Sequence, residues 1–322
     1  MKDWQVVLEK YPEANFLQSP EWGKVNELVG HRVILENSED FWCQMIVKNA
    51  KRGRYLEVPG GPLLDWQNPV AVQEVFRKIR EVAEREKCVF VRLRPQLKVA
   101  EKAYLEGLGL KKAPMHLHAE HTVILDLTKS QEDLLKEMRR QTRYEVRRAE
   151  KFNIKVTWTD EEASYREFHQ VQAETAQRQH FVPPNLKMLL AEREAFGKNA
   201  RLYIAKTEAS EPIAYGLILI AGNEAEYFEA ASTELNYKLP GAYALQWQVI
   251  KDLQELGIKR YNLWGIAPPN QPDHRYAKVT TFKRGFGGET VEFVAAQDMV
   301  IKPAHYKLDL LVETVRRKRR KL

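Results

Sequence analysis
"ARLYIAKTEASEPIAYGLILIAGNEAEYFEAASTELNYKLPGAYALQWQVIKDLQELG", residues 200–257, decides the fold. Three runs rich in strand formers, "ARLYIAKTE", "PIAYGLILIAG" and "EAEYFEAAST", follow one another with short polar joints and predict an antiparallel meander. The turn "KLPGAY" then leads into a helix that Gly257 closes. "KRYNLWGIAP" after it reads as one more strand, leaving through Gly265.

Working outward, the same style recurs. On the C-terminal side, 274–283 is expected to be helical, "ETVEFVAAQDMVI" a strand, and Pro303 the start of a last helix. On the N-terminal side, "NIKVTWT" is a strand and 161–178 a helix. Pro183 and Pro184 break the chain before a helix over 185–196. "EMRRQTRYEVRRAEK", residues 137–151, follows the cap candidate Ser130. Leu135, Met138, Thr142, Val146 and Ala149 recur at helical spacing as its buried stripe, and Arg140, Arg143, Arg147 and Lys151 gather on another. In the first third, Ser19 and Pro20 open a helix that Gly30 ends. "HRVILEN" and "FWCQMIVKN" pair as strands, and "RYLEVPGGPLLDW" is a strand entering a Pro/Gly loop. Residues 69–87 form an amphipathic helix with Val72, Val75, Phe76, Ile79, Val82 and Ala83 on one stripe. "CVFVRLRP" and "HTVILDL" are strands, with a helix over 99–107 between them. Strands in runs between helices, twice over, predict two α+β domains of similar build.

The composition suits a globular protein: 322 residues, 44% hydrophobic and 30% charged, with no apolar stretch near the roughly 20 residues a membrane helix requires. The N-terminus has no apolar core resembling a signal peptide. Cys43 and Cys88 sit in apolar runs and read as buried thiols, so a disulfide framework is excluded and a cytoplasmic setting expected. The formal charge is +7, but residues 316–321 are all basic, and without them 45 basic residues face 44 acidic ones. The body is nearly neutral and the tail is a separate feature. It suits anionic lipid or nucleic acid, with a solvated helix end as the alternative.

A meander, a Gly turn and a long helix in that order resemble the acetyltransferases of the GNAT fold. Those hold coenzyme A on a loop of the form Gln/Arg-x-x-Gly-x-Gly/Ala, whose backbone N–H groups reach the pyrophosphate. Here Gly241 is present, but Lys238 replaces Gln/Arg, Tyr243 stands where a small residue is needed, and Pro240 lacks a donor. No cofactor is therefore expected.

Taken together the motifs resemble the FemABX family of peptidoglycan aminoacyltransferases. They are "NFLQSPEWGKV", "VPGGPLLD", "DLTKSQEDLLKEMRRQTRYEVRRAEKFNIKV", "YKLPGAYALQWQVIKDLQELGIKRYNLWGI" and "TTFKRGFGG", in order over nearly the whole chain. The resemblance implies an α+β architecture of two tandem GNAT-like domains, mixed sheets flanked by helices. We set these at 1–127 and 128–302, with 303–322 packing back on the first. Some members insert a long helical hairpin in the second domain; this chain has no stretch of that length and reads as the compact form. The implied reaction moves an amino acid from an aminoacyl-tRNA to the stem-peptide amine of a peptidoglycan precursor, UDP-linked or lipid-linked. The implied protein is a monomer, with the basic tail at an anionic membrane surface.

Residue by residue, the resemblance assigns Lys283 to stabilising the transition state or a nearby tRNA phosphate, with Phe282 stacking beside the terminal adenine. Lys24 in "WGKV" is assigned to precursor phosphate, although Asn26 stands where many members have a second basic residue. Tyr243 lines the stem-peptide groove or joins the core. Arg140, Arg143, Arg147 and Lys151 offer charge to tRNA phosphates, with a solvated face as the alternative. Two departures bear on the acceptor. Pro183 or Pro184 aligns where members carry a phosphate-binding arginine, and Arg94 stands where some carry an acidic residue proposed as base. "MHLHAEH", with His116, His118 and His121, reads as a loop before a strand in preference to a metal site. Rival readings are an acyl-CoA-dependent transferase of the GNAT type, a tRNA-dependent transferase acting on protein or lipid, and a non-catalytic RNA-binding module.

Overall fold
The computed structural model describes residues 4–50, 53–179, 185–269, 271, 274 and 276–320. Its contacts group the chain into two units, 1–120 with 292–322, and 121–291.

The first unit begins with α1 (Trp4–Lys10) and α2 (Pro20–Leu28). Ser19 caps α2, its side chain accepting from Trp22 N at 3.2 Å, with Pro20 in the first turn. The strands β1 (Arg32–Asn37), β2 (Phe41–Ala50) and β3 (Gly53–Gly60) form a meander, and β4 (Leu63–Leu64) pairs with β2. Then α3 (Pro69–Arg85) crosses over to β5 (Phe90–Pro95), which pairs in parallel with β3, and β6 (Leu110–Lys112) follows. All six stripe residues of α3 are buried, packed on Met45, Val58 and Val91 of the sheet. Cys43 and Cys88 are buried, free thiols.

The second unit runs β7 (His121–Asp126), α4 (Gln131–Glu137), α5 (Arg140–Lys151), β8 (Lys155–Thr159), α6 (Glu162–Gln179) and α7 (Leu186–Phe196). The meander follows as β9 (Ala200–Lys206), β10 (Pro212–Ala221) and β11 (Glu224–Ser232). Next, α8 (Gly241–Glu255) crosses to β12 (Arg260–Gly265), and α9 (Ala277–Arg284) and β13 (Glu289–Glu292) complete the unit. Its sheet order is β13-β7-β12-β11-β10-β9-β8, with β11 and β12 parallel. The core lies where Val146 of α5 and Leu245, Val249 and Leu253 of α8 meet Leu125, Ile218 and Tyr261 of the sheet.

The chain then returns to the first unit with β14 (Gln297–Val300) and α10 (Pro303–Arg320). The first sheet is ordered β1-β2-β3-β5-β14-β6. In α10, Tyr306 packs on Val89 and Phe90 of the first unit.

Four expectations differ from what is observed. "ETVEFVAAQDMVI" is two strands in two sheets. Between them Phe293 N donates to Glu120 O (2.8 Å) and Val294 N to Leu97 O (2.9 Å), so alternation continues while the partners change. The division of the chain differs accordingly: β7, expected to close the first domain, lies in the second unit's sheet, and β14 lies in the first's. The helix expected over 99–107 is a 3-10 helix over 99–105 with no buried side chain. Lastly, 137–151 is not one helix. Met138 and Arg139 are extended between α4 and α5, and Arg139 N bonds Gly285 O at 2.8 Å. The break buries Leu134 and Met138 and leaves Leu135 half-buried.

Candidate active site
The two parallel strands of the second unit do not stay together. β11 and β12 pair only from Glu224↔Arg260 to Glu226↔Asn262, although β11 continues to Ser232. Beyond this point β11 bulges: Tyr227 pairs with Ile218 and Glu229 with Leu217, so Phe228 is the extra residue. β12 bends too. Trp264 sits at φ 61, where a large residue is rare, and the β12–β7 register slips between Asn262 and Gly265. The strands thus part at their C-terminal ends, the usual place for a ligand in a parallel pair. In the first unit, β3 and β5 remain paired to Gly60↔Pro95.

Lys283 reaches this splay from α9. Its Nζ donates to Gly265 O at 2.9 Å and lies 5.7 Å from the centre of the Tyr227 ring. The side chain is 7% exposed and has no carboxylate partner among the described residues. Burial alone pushes its pKa from 10.5 down to about 7. An ammonium held by a carbonyl and an aromatic face, without an anion among the described residues, is poised to receive negative charge, and the neutral amine to receive a proton. Burial also pushes the Tyr227 phenol up to about 12. α9 is fixed by Thr280, whose Oγ accepts from Ala267 N and donates to Tyr276 O, both at 2.7 Å. The turn after α9 requires glycine: a Cβ on Gly285 would meet Thr142 Oγ1 at 2.3 Å, and Gly288, at φ 80, approaches Ile124 O.

Tyr243 and Phe282 are both half-buried and touch, with ring centres 5.1 Å apart, and Phe286 lies beneath both at 6.0 and 5.2 Å. Tyr243 and Phe282, from two separate motifs, therefore meet, while Lys283, next to Phe282 in the chain, turns to Gly265 O and Tyr227. In "KLPGAY" the amides that would cradle a pyrophosphate are otherwise engaged. Ala242 N donates to Asn236 Oδ1 (3.0 Å), Gly241 N to Leu239 O (2.9 Å), and Pro240 has none.

The other chosen residues lie apart. Lys24 is exposed on α2 of the first unit, and the neighbouring Asn26 is buried and accepts from Lys48 Nζ at 3.0 Å. Arg140, Arg147 and Lys151 are exposed on α5. Arg143 is not on that face. Its Nη1 donates to Leu135 O (3.1 Å) and Lys136 O (2.8 Å), capping α4. Tyr144, 57% exposed, was missed; it lines a surface depression with Arg139, Arg140 and Gln141. His116 pairs with Glu120 at 2.9 Å, and no cluster of three metal-ligating side chains occurs among the described residues. Pro183 and Pro184 lie outside the described residues.

Two mixed sheets flanked by helices, each with a meander and a helical crossover to a parallel strand, define a tandem GNAT-like protein. The chain belongs to the FemAB family, whose model matches residues 2–107, 103–214 and 185–314. Aminoacyltransferase FemA of Staphylococcus epidermidis is 30% identical over 106 residues, covering 33% of this chain and 25% of that protein. FemA of Staphylococcus aureus is 32% identical over 83 residues, 26% of this chain and 20% of that one. The match thus spans about a quarter of the length of these curated relatives. The structure of FemX superposes with a TM-score of 0.84 at 16% identity, over 94% of this chain and 96% of that one. L-PGS from Bacillus licheniformis gives 0.62 at 14%, over 96% and 94%. A tandem GNAT protein from the clavulanic acid biosynthesis pathway gives 0.52 at 10%, over 83% of each. These three are likenesses of fold.

Proposed function
We propose that the chain is an aminoacyltransferase that moves an amino acid from an aminoacyl-tRNA to the stem-peptide amine of a peptidoglycan precursor. The observation that carries the reading is the buried Lys283, without a carboxylate partner among the described residues, at the splay of β11 and β12 in a chain of the FemAB family. The amine attacks the ester carbonyl, an N–C bond forms, the ester C–O bond breaks, and the amine's proton ends on the departing ribose oxygen. The donor is already activated, so the protein's task is to place the amine and to stabilise the oxyanion. Lys283 supplies that charge, and Phe282 and Tyr243 wall the site. The engaged amides of "KLPGAY" favour tRNA over coenzyme A as donor.

Incubation with mixed charged tRNAs and both precursor forms, followed by mass spectrometry, is expected to yield a precursor heavier by one amino-acid residue. Calorimetry separates the rival donor: acetyl-CoA is expected to give no stoichiometric heat, and charged tRNA to bind with an affinity that falls steeply with salt. Stoichiometric acetyl-CoA binding overturns the donor assignment, and salt-dependent tRNA binding without any product leaves an RNA-binding module.

The reading places the basic tail at an anionic membrane. Leu308 and Leu311 of α10, three residues apart and exposed, precede the six basic residues. Deleting 316–322 is expected to abolish sedimentation with phosphatidylglycerol vesicles at low salt, each basic residue contributing roughly 1 kcal/mol. Undiminished sedimentation assigns the tail elsewhere.

A further inference from the structure
The first unit holds a second buried cation without a carboxylate partner among the described residues. On β5, Arg92 and Arg94 share a face. Arg92 is matched: its Nε and Nη2 each lie 2.8 Å from the Asp298 carboxylate, which also accepts from Tyr306 at 2.9 Å. Arg94 is 1% exposed and has no such partner. Among the described residues its one hydrogen bond runs from Nη1 to Gln96 Oε1 at 3.2 Å, its guanidinium rests 5.1 Å from the Phe293 ring, and its Nε finds no acceptor. The carboxylate whose charge reaches it, Glu120, meets His116 Nδ1 (2.9 Å) and Ala296 N (3.1 Å), both through Oε1. Burying a five-donor guanidinium with so few acceptors opposes folding. Lys48 and His118 lie around it. Lys48 is half-buried, bonded to Asn26 and paired with Glu57 at 3.7 Å, and the half-buried His118 is pushed down to about 3 by burial and by the charges of Arg94 and Lys48. Arg94, not Lys48, is thus the cation here that lacks a carboxylate partner among the described residues.

We propose that Arg94, with Lys48 and His118 around it, forms an oxyanion-binding pocket in the first unit that takes a carboxylate or a phosphate of the acceptor. The Gln96 carboxamide oxygen occupies the place of one anion oxygen. A guanidinium suits both groups because its fork matches two oxygens at once. The assignment to the acceptor rests on the aminoacyltransferase reading, under which the acceptor carries peptide carboxylates and a phosphate linkage.

Calorimetry on the full chain, without tRNA, tests it with three probes: an acetylated dipeptide with a free carboxylate, its C-terminal amide, and inorganic phosphate. The carboxylate, the phosphate or both are expected to bind, and the amide is not. The carboxylate alone identifies the peptide end as the ligand, and phosphate alone identifies the phosphate linkage. Arg94→Met is expected to weaken binding on the order of tenfold or more, with Arg94→Lys between. Should Arg94→Met not fold, Gln96→Ala leaves the arginine intact, frees its donors and is expected to tighten binding. In the wild type the His118 ring signals in NMR should move on titration. Failure of both anions to bind, or equal binding by Arg94→Met, overturns the pocket. No transfer step enters this assay, so its outcome is independent of whether aminoacyl transfer is observed.

Discussion
Replacing Lys283 by Met is expected to lower kcat on the order of 10²–10³, with KM for either substrate nearly unchanged and the fold intact. The magnitude is that of losing one preorganised electrostatic contact to a developing oxyanion. Met keeps the stem packed against Tyr227 and removes the charge. Because that charge is buried without an anion among the described residues, removing it orphans no described carboxylate, and no loss of melting temperature is expected. A variant with normal kcat and only a raised KM for tRNA reassigns Lys283 to phosphate binding.

The same variant reveals which form of the lysine acts. Its pKa, about 7, lies below the ordinary 10.5. If the ammonium stabilises the oxyanion, the ratio of wild-type to Lys283→Met rates falls as pH rises through 7. If the neutral amine takes the substrate's proton, the ratio rises instead. Ionisation of the substrate amine affects both proteins and cancels in the ratio. We expect the falling ratio. Stability carries its own sign. Below pH 7 both folded and unfolded chains hold the proton, and the full cost of the buried charge is present. From about 7 to 10.5 the folded protein releases the proton and the unfolded chain retains it, so wild-type stability relative to Lys283→Met rises across that window.

Much of this site was legible in the sequence because its parts are local. "TTFKRGFGG" joins an aromatic, a lysine and the glycines that turn the chain, and "KLPGAY" shows by residue type alone the donor missing at Pro240. What was not legible depends on long-range pairing. The bulge at Phe228 and the bend at Trp264 open the splay, yet both occur within runs that read as ordinary strands. Nor can periodicity show that 289–300 alternates across two sheets, since both halves keep a period of two. Arg94 was visible as a departure, but only the contrast with the paired Arg92 gives it a role.

The basic run of α5 illustrates the same limit, and there an experiment separates two kinds of arginine. Helical spacing put Arg143 with Arg140, Arg147 and Lys151, but the break at Met138 and Arg139 turns Arg143 back onto the last carbonyls of α4. Arg148 is likewise used, bonding Lys238 O at 2.9 Å and Glu145 at 3.0 Å. Arg140, Arg147 and Lys151 remain exposed, with Tyr144 offering a stacking face near Arg140. Each phosphate neutralised contributes about 0.9 to the slope of log affinity against log salt. Reversing the three to Glu is therefore expected to reduce that slope by about 3 and to weaken tRNA binding on the order of 10² or more near 0.1 M salt. Arg143→Met is expected to leave the slope alone and to lower the melting temperature, because it exposes the end of α4 at a cost of about 1–2 kcal/mol. Unaltered tRNA affinity in the triple variant makes α5 a solvated face, and a slope lowered by Arg143→Met returns that arginine to the nucleic-acid surface.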